Sequence, residues 1–194
     1  MFETLLERIA LALEQAAVPY MVIGGQAVLL HGEPRLTKDI DVTLGAGLDR
    51  LPEIHALVRT MGLSPLVDPD DFTPRTMVLP CLDPGSGIRV DFIFSYSPYE
   101  RQAIARALGV RIKAAEVRFA SAEDLVIHKV IAGRPRDLED VRIVLLKNPR
   151  LDINYVRQWL SDFTSALADD FDSRFEGVLK SIGRDRSGND PEPA

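Results

Sequence analysis

Residues 20–41 read YMVIGGQAVLLHGEPRLTKDID, and this stretch decides the fold. Its first residues, Tyr20–Ile23, are all apolar, which predicts a short strand buried on both faces. The Gly24-Gly25 pair interrupts the run, and a short helix is predicted from Gln26 to His31. A strand that leads through glycines into a helix N-terminus places backbone N–H groups around a small concavity.

The end of the same stretch predicts a strand with two unlike faces. Asp39 and Asp41 alternate with the apolar residues of the segment 40–44, which is the period of two typical of a strand. Asp91 has a similar position inside the apolar run 88–94. If the two strands are neighbours, three carboxylates share one face, and their repulsion requires compensation. A hard divalent cation, Mg²⁺ or Mn²⁺, suits oxygen-only ligands; the alternative is that the aspartates only face solvent.

The remaining pattern predicts further strands and many helices around this core. An amphipathic helix is expected over residues 1–17, and a second helix begins near Asp49 and ends at Gly62. The turn 83–87 joins strands 76–82 and 88–94 into a hairpin, and a capping box at Ser97 begins a helix that runs to about Leu108. A strand over 111–119 and helices over 121–132, 137–146 and 153–167 follow.

This order of elements predicts an α/β fold with a mixed, twisted sheet flanked by helices. We expect a core over residues 1–118, a helical C-terminal part over 119–182 and a loose tail over 183–194. The tail is predicted because its sequence offers no apolar residue that would anchor it.

Composition excludes several classes of protein. The net charge is −6 over 194 residues, which argues against an extended DNA- or RNA-binding surface. The single cysteine excludes an intramolecular disulfide. One cysteine and three histidines also offer few ligands for zinc, so a zinc cluster is not favoured. No signal peptide or membrane-spanning run is visible, so we expect a cytoplasmic protein that does not associate with membranes.

Several separated motifs follow one another along the chain. The first consists of Val22-Ile23-Gly24-Gly25-Gln26-Ala27-Val28, His31-Gly32, Arg35, Thr37, Asp39 and Asp41. The later ones consist of Asp124, Lys129, Ala132 and the segment Arg134-Pro135-Arg136-Asp137-Leu138-Glu139-Asp140. The first motif resembles motif I of the nucleotidyltransferase superfamily related to DNA polymerase beta. The later segment resembles the R-x-[KR]-D-x-x-D motif of the AbiEii-type nucleotidyltransferases.

The resemblance implies a division of labour among these residues. Asp39 and Asp41 would hold two Mg²⁺ ions, and Asp91 would complete the second site and help deprotonate an acceptor hydroxyl. A nucleoside monophosphate would pass from an NTP to that hydroxyl, and pyrophosphate would leave. The residues implied in contacts with the nucleotide are Gly24, Gly25, Thr37, Lys129, Arg134 and Asp137, with Asp140 beside them on the nucleotide or acceptor side of the cleft.

Some of these residues have a plainer interpretation. Lys129 lies in a mostly apolar helical segment, where a lysine side chain also reaches out to solvent. Asp137 and Asp140 also suit the first turn of a helix, where the helix dipole favours carboxylates.

The acceptor stays open at this stage. AbiEii-type relatives include toxins that modify tRNA ends, so RNA, a protein or a small molecule are the acceptors considered, and an antitoxin is a conceivable partner. A non-catalytic nucleotide sensor or partner-binding protein on the same fold is the alternative, although it has no evident need for three carboxylates. A metal-dependent phosphohydrolase would normally show histidine ligands, and neither strand offers one.

Overall fold

The chain folds around one mixed β-sheet. The structure is a computed structural model that describes residues 1–34, 36–95 and 97–184. Within these residues the strands run in the order β3-β4-β5-β2-β1-β7-β6 across the sheet. They are β1 (Tyr20–Ile23), β2 (Asp39–Leu44), β3 (Ser64–Pro65), β4 (Val78–Asp83), β5 (Ile88–Phe94), β6 (Leu108–Ile112) and β7 (Ala115–Phe119).

The β2–β5 and β1–β7 pairs are parallel, whereas the other pairs are antiparallel. The helices of the described residues are α1 (Phe2–Gln15), α2 (Gly24–His31), α3 (Leu51–Thr60), α4 (Pro69–Thr76), α5 (Pro98–Arg106), α6 (Ala122–Ala132), α7 (Pro135–Lys147), α8 (Ile153–Leu167) and α9 (Phe171–Ser181). The predicted mixed α/β architecture with a helical C-terminal region is confirmed. None of the described helices has the length and apolar character that crossing a membrane requires.

Contacts between residues divide the chain into two compact units. Unit one comprises the described residues of 1–27 and 35–121, and therefore the whole sheet. Unit two comprises the segment 28–34 and the described residues from 122 onward, with helices α6 to α9. Helix α2 begins in unit one and ends in unit two.

One-sided burial fixes the orientation of β2 and β5. Ile40, Val42 and Leu44 of β2 are fully buried, as are Val90 and Phe92 of β5. Burial of one such side chain stabilises the folded state by about 1.5–3 kcal/mol. A shift of either strand by one residue would exchange these apolar side chains for the intervening polar ones, so the register is strongly specified.

Two predicted strands differ from the observed ones. The segment predicted as one strand over 111–119 forms two antiparallel strands, β6 and β7, with Lys113 at φ 51° in the turn between them. The helix before them ends at Arg106 rather than near Leu108. The predicted strand over 76–82 begins only at Val78, because helix α4 occupies the preceding residues.

Helix α4 is set by local signals at its start. The Asp68 side chain accepts a hydrogen bond from the backbone N–H of Asp70, and proline occupies the first turn. Of the tail predicted over 183–194, the structure describes Gly183 and Arg184, and the Arg184 guanidinium donates hydrogen bonds to the carbonyl oxygens of Leu145 and Pro149. The rest of the predicted tail lies outside the described residues.

Candidate functional site

The three aspartates singled out in the sequence lie together on unit one. Asp41 of β2 stands directly opposite Asp91 of β5 in the parallel register, and Asp39 stands opposite Arg89. Because register partners point to the same face, as do residues two apart on one strand, all four side chains share a face. Each aspartate is half-buried. We call Asp39, Asp41 and Asp91 the carboxylate patch.

Two members of the carboxylate patch are held by side chains of unit one. The Thr37 hydroxyl donates a hydrogen bond of 3.0 Å to Oδ1 of Asp39. Nε of Arg89 donates one of 2.7 Å to Oδ1 of Asp91. The Thr37 hydroxyl thus orients a carboxylate of the patch, and the expected contact of Thr37 with a nucleotide stays a prediction.

The third carboxylate lies against the turn between β1 and α2. Asp41 pairs with Ile23, the last residue of β1, so its side chain is beside Gly24. A Cβ added to Gly24 would lie only 1.9 Å from Oδ2 of Asp41, and the backbone of Gly24 has φ +62°. Glycine is therefore required twice, for the close approach and for the left-handed backbone. Gly25 is buried next to it.

Arg89 gives the carboxylate patch a counter-charge that sequence reasoning missed. The hydrogen bond to Asp91 raises the pKa of the Arg89 guanidinium, and the charges of Asp91, Asp39 and Asp41 raise it further. Burial acts in the opposite direction and is outweighed. The available signal was the alternation within 88–94, which places Arg89 on the face of Asp91.

The carboxylate patch has the donor chemistry of a site for a hard divalent cation, since it offers oxygen ligands alone on one face. The Asp41 carboxylate occupies the space beside the Gly24 backbone that a side chain at Gly24 would fill. The described residues nevertheless contain no group of three or more His, Cys, Asp or Glu side chains already arranged to hold a metal ion. The residue types and their shared face therefore fit Mg²⁺ or Mn²⁺, while a closed ligand set is not preformed.

A second charged cluster lies within unit two. Nζ of Lys129 on α6 is 2.6 Å from Oδ1 of Asp137 and 2.9 Å from Oδ2 of Asp140, both on α7. Lys129 is only 8% exposed, so the interpretation as a lysine that reaches solvent is wrong. Asp137 and Asp140 are also buried, at 8% and 3%. Asp137 does lie in the first turn of α7, where the helix dipole favours a carboxylate, and both carboxylates are also ion-pair partners of Lys129.

Other predicted residues of unit two have mixed surroundings. Asp124 is fully buried, and the Tyr155 hydroxyl donates a hydrogen bond of 2.9 Å to its Oδ1. Arg134 caps the N-terminus of α7 without a side-chain hydrogen bond to the backbone, and its side chain is exposed. Arg35, which belongs to the first motif, lies outside the described residues.

A separate cavity of about 610 Å³ in unit one is lined by residues such as Tyr20, Arg111 and Arg118. None of the three aspartates lines this cavity. Chemistry rather than cavity volume therefore identifies the carboxylate patch as the candidate site.

The fold is that of the nucleotidyltransferases, the class of enzymes that transfer a nucleoside monophosphate. The chain belongs to the family described as "Nucleotidyltransferase of unknown function (DUF6036)", whose profile matches residues 2–180. No curated protein matches the chain at a significant level.

Several solved structures share this fold. The antibiotic-resistance factor ANT(2'')-Ia matches with a TM-score of 0.58 at 20% identity, over 86% of this chain and 92% of that one. An antigenic nucleotidyltransferase-like protein from Paracoccidioides brasiliensis matches with 0.54 at 16% identity, over 92% and 91%. The lincosamide antibiotic adenylyltransferase LnuA, solved with lincomycin bound, matches with 0.52 at 14% identity, over 73% and 94%. Similarity at these identities shows the fold alone.

Proposed function

We propose that the carboxylate patch transfers a nucleoside monophosphate from an NTP to an acceptor hydroxyl, with release of pyrophosphate. One observation carries this proposal. Asp41 stands opposite Asp91 on the neighbouring strand, and its Oδ2 occupies the space that a Cβ on Gly24 would take where α2 begins. Carboxylates suited to cations thus adjoin a helix N-terminus suited to phosphate.

In this proposal Asp39, Asp41 and Asp91 would hold Mg²⁺ or Mn²⁺. A cation held there would supply positive charge to neutralise the triphosphate and to make the acceptor hydroxyl a better nucleophile. Thr37 keeps Asp39 in one orientation, and Gly24 lets Asp41 lie against the turn. Asp91 accepts the proton of the acceptor hydroxyl. The N–H groups at the start of α2 and the backbone of Gly25 bind phosphate oxygens.

Within unit two, the residues that the resemblance implies in contacts with the nucleotide or acceptor are also proposed for that role. Arg134 is exposed and available to an anion. Lys129 is already held by Asp137 and Asp140, so any contact of Lys129 with a phosphate exchanges one anionic partner for another. We therefore expect substitution of Lys129 to act on the folding of unit two as well as on nucleotide affinity.

The acceptor is proposed as RNA, with protein and small molecules as alternatives. The AbiEii-type resemblance of the segment 134–140 favours a tRNA or another RNA, and an antitoxin as partner. Exposed Arg134 and Arg136 offer local positive charge in a chain whose net charge is −6. ANT(2'')-Ia, solved with adenylyl-2''-tobramycin, and LnuA, solved with lincomycin, support testing antibiotics as well.

Transfer of label tests the proposal. The protein is incubated with each α-labelled NTP and Mg²⁺ or Mn²⁺, together with total RNA, total protein or a panel of antibiotics. We expect label in one pool, pyrophosphate release in proportion, and no transfer by the Asp41→Asn variant. A wild-type protein that binds NTP and metal but labels none of these pools would instead favour the non-catalytic nucleotide sensor.

A further inference from the structure

Arg89 lies at a corner of the carboxylate patch. It precedes Asp91 by two residues on β5 and stands opposite Asp39 on β2. Its side chain is 51% exposed, whereas that of Asp91 is 17% exposed. An exposed arginine on a strand has many rotamers to lose, so its contact with Asp91 must offset that entropy.

The contact between Arg89 and Asp91 is a single hydrogen bond. Arginine frequently pairs with a carboxylate through two parallel hydrogen bonds, as Arg50 does with Glu53 through Nε and a terminal nitrogen. Here the bond of 2.7 Å comes from Nε and reaches only Oδ1 of Asp91. Among the described residues no further bond from Arg89 to Asp91 is formed. The carboxylate is thus restrained through one oxygen, and the other oxygen is not used by Arg89.

We propose that Arg89 is a positioning residue for metal binding, which fixes Asp91 through Nε so that its other oxygen is presented to a divalent cation. This inference rests on the proposed function, in which Asp91 is a metal ligand. Carboxylates that ligate metals are typically hydrogen-bonded in turn, and loss of such a partner weakens metal affinity by about 10- to 100-fold.

The opposite role for Arg89 makes opposite predictions. If the guanidinium acted only as a positive charge, it would repel the incoming cation, and its removal would strengthen metal binding. Positioning and repulsion are therefore separable by variants that remove the charge and the Nε donor independently.

The variant Arg89→Gln separates positioning by the Nε donor from repulsion by the positive charge. The glutamine Nε2 is the same number of bonds from the backbone as Nε of arginine, so Arg89→Gln keeps the donor and removes the charge. Arg89→Lys keeps the charge but moves the nitrogen one bond further out, and Arg89→Met removes both. We expect Arg89→Met and Arg89→Lys to bind Mn²⁺ about 10- to 100-fold more weakly than wild type. Arg89→Gln should retain most of the affinity.

The experiment measures free Mn²⁺ by electron paramagnetic resonance during titration of the full chain, without nucleotide. Circular dichroism and melting temperature establish that each variant is folded. Arg75→Met is the matched control, since it removes another exposed guanidinium paired with an aspartate, Asp71, outside the carboxylate patch. This control should bind Mn²⁺ as wild type does.

Asp91→Asn distinguishes the possible failures. If Asp91→Asn loses Mn²⁺ affinity while Arg89→Met does not, Asp91 is a ligand but the role of Arg89 is overturned. Tighter binding by both Arg89→Met and Arg89→Gln overturns that role in favour of repulsion. If Asp91→Asn keeps full affinity, the assignment of Asp91 as a ligand fails, and the inference about Arg89 fails with it.

Discussion

At Gly24 the backbone and the Asp41 carboxylate approach so closely that no side chain fits between them. The position also has φ +62°, which L-residues rarely adopt. Two independent constraints therefore converge on one glycine. The same proximity brings the turn between β1 and α2, which we propose to bind phosphate, next to the carboxylate patch, so the conformation of this residue determines the geometry of the proposed site.

Gly24→Ala should damage both stability and function. The left-handed backbone costs an alanine about 1–2 kcal/mol, and the new methyl group would also displace Asp41. We expect a larger loss of stability than the backbone alone explains, together with loss of divalent-dependent NTP binding. Chemical denaturation and calorimetric titration measure the two effects.

Gly62→Ala is the control for this substitution. Gly62 has φ +70°, but a Cβ there would meet nothing within 4 Å. The control should show the backbone cost with normal NTP binding. If Gly24→Ala and Gly62→Ala lost the same stability and bound NTP equally well, the proposed role of the Gly24–Asp41 contact would be contradicted.

Cys81 supplies a probe of the folded state. It is fully buried on β4, and burial together with the charge of Asp91 raises the pKa of its thiol to about 12. A thiol with a raised pKa remains protonated and unreactive at pH 8. We expect no reaction with Ellman's reagent in the folded protein and reaction of one thiol in denaturant. Rapid modification of the folded protein would contradict this burial.

At the scale of elements, patterns with a clear period were predictable and contacts between elements were not. The alternation over 39–44 and 88–94 identified both strands of the carboxylate patch, because one face of each must be buried. That Asp41 lies opposite Asp91 depends on the pairing of β2 with β5, which a single sequence leaves as a hypothesis.

The predictions that failed, and the residue that was missed, have physical explanations. The turn between β6 and β7 contains Lys113 and Ala114, without the glycine, asparagine or proline that normally marks a hairpin. The environment of Lys129 depends on how α6 packs on α7, so neither its burial nor its partners could be read from the helix that contains it. Arg89 was overlooked because a charged residue on a strand usually signals only an exposed face.

The ion pairs between α6 and α7 should matter for folding. Lys129→Met leaves Asp137 and Asp140 as buried carboxylates without a cation, and breaking a buried pair in this way costs about 3–5 kcal/mol. Lys147→Met is the control on α7, because Lys147 is exposed and its nitrogen is 3.7 Å from Glu33. It should cost about 0–1 kcal/mol. Urea denaturation measures both, and an equally small effect of Lys129→Met would contradict a structural role for the cluster.

At the scale of the whole molecule, the negative charge of the protein opposes binding of the proposed NTP substrate unless divalent cations are bound. The net charge is −6, and the candidate site itself consists of three carboxylates with one arginine. A triphosphate is strongly anionic, so its approach to these carboxylates is repulsive in the absence of metal. The parallel pairing of β2 with β5 concentrates that repulsion at one place, which is what a binding site for divalent cations requires.

Equilibrium binding of each NTP, with Mg²⁺ and with excess chelator, tests this account most directly, because it does not depend on knowing the acceptor. Isothermal titration of wild type, Asp41→Asn and the control Asp71→Asn, whose aspartate is exposed on α4, is sufficient. We predict that wild type and Asp71→Asn bind NTP only with Mg²⁺, and that Asp41→Asn binds weakly under both conditions. Equal NTP affinity of the wild-type protein in Mg²⁺ and in excess chelator would contradict the assignment of the carboxylate patch as a metal-dependent nucleotide site.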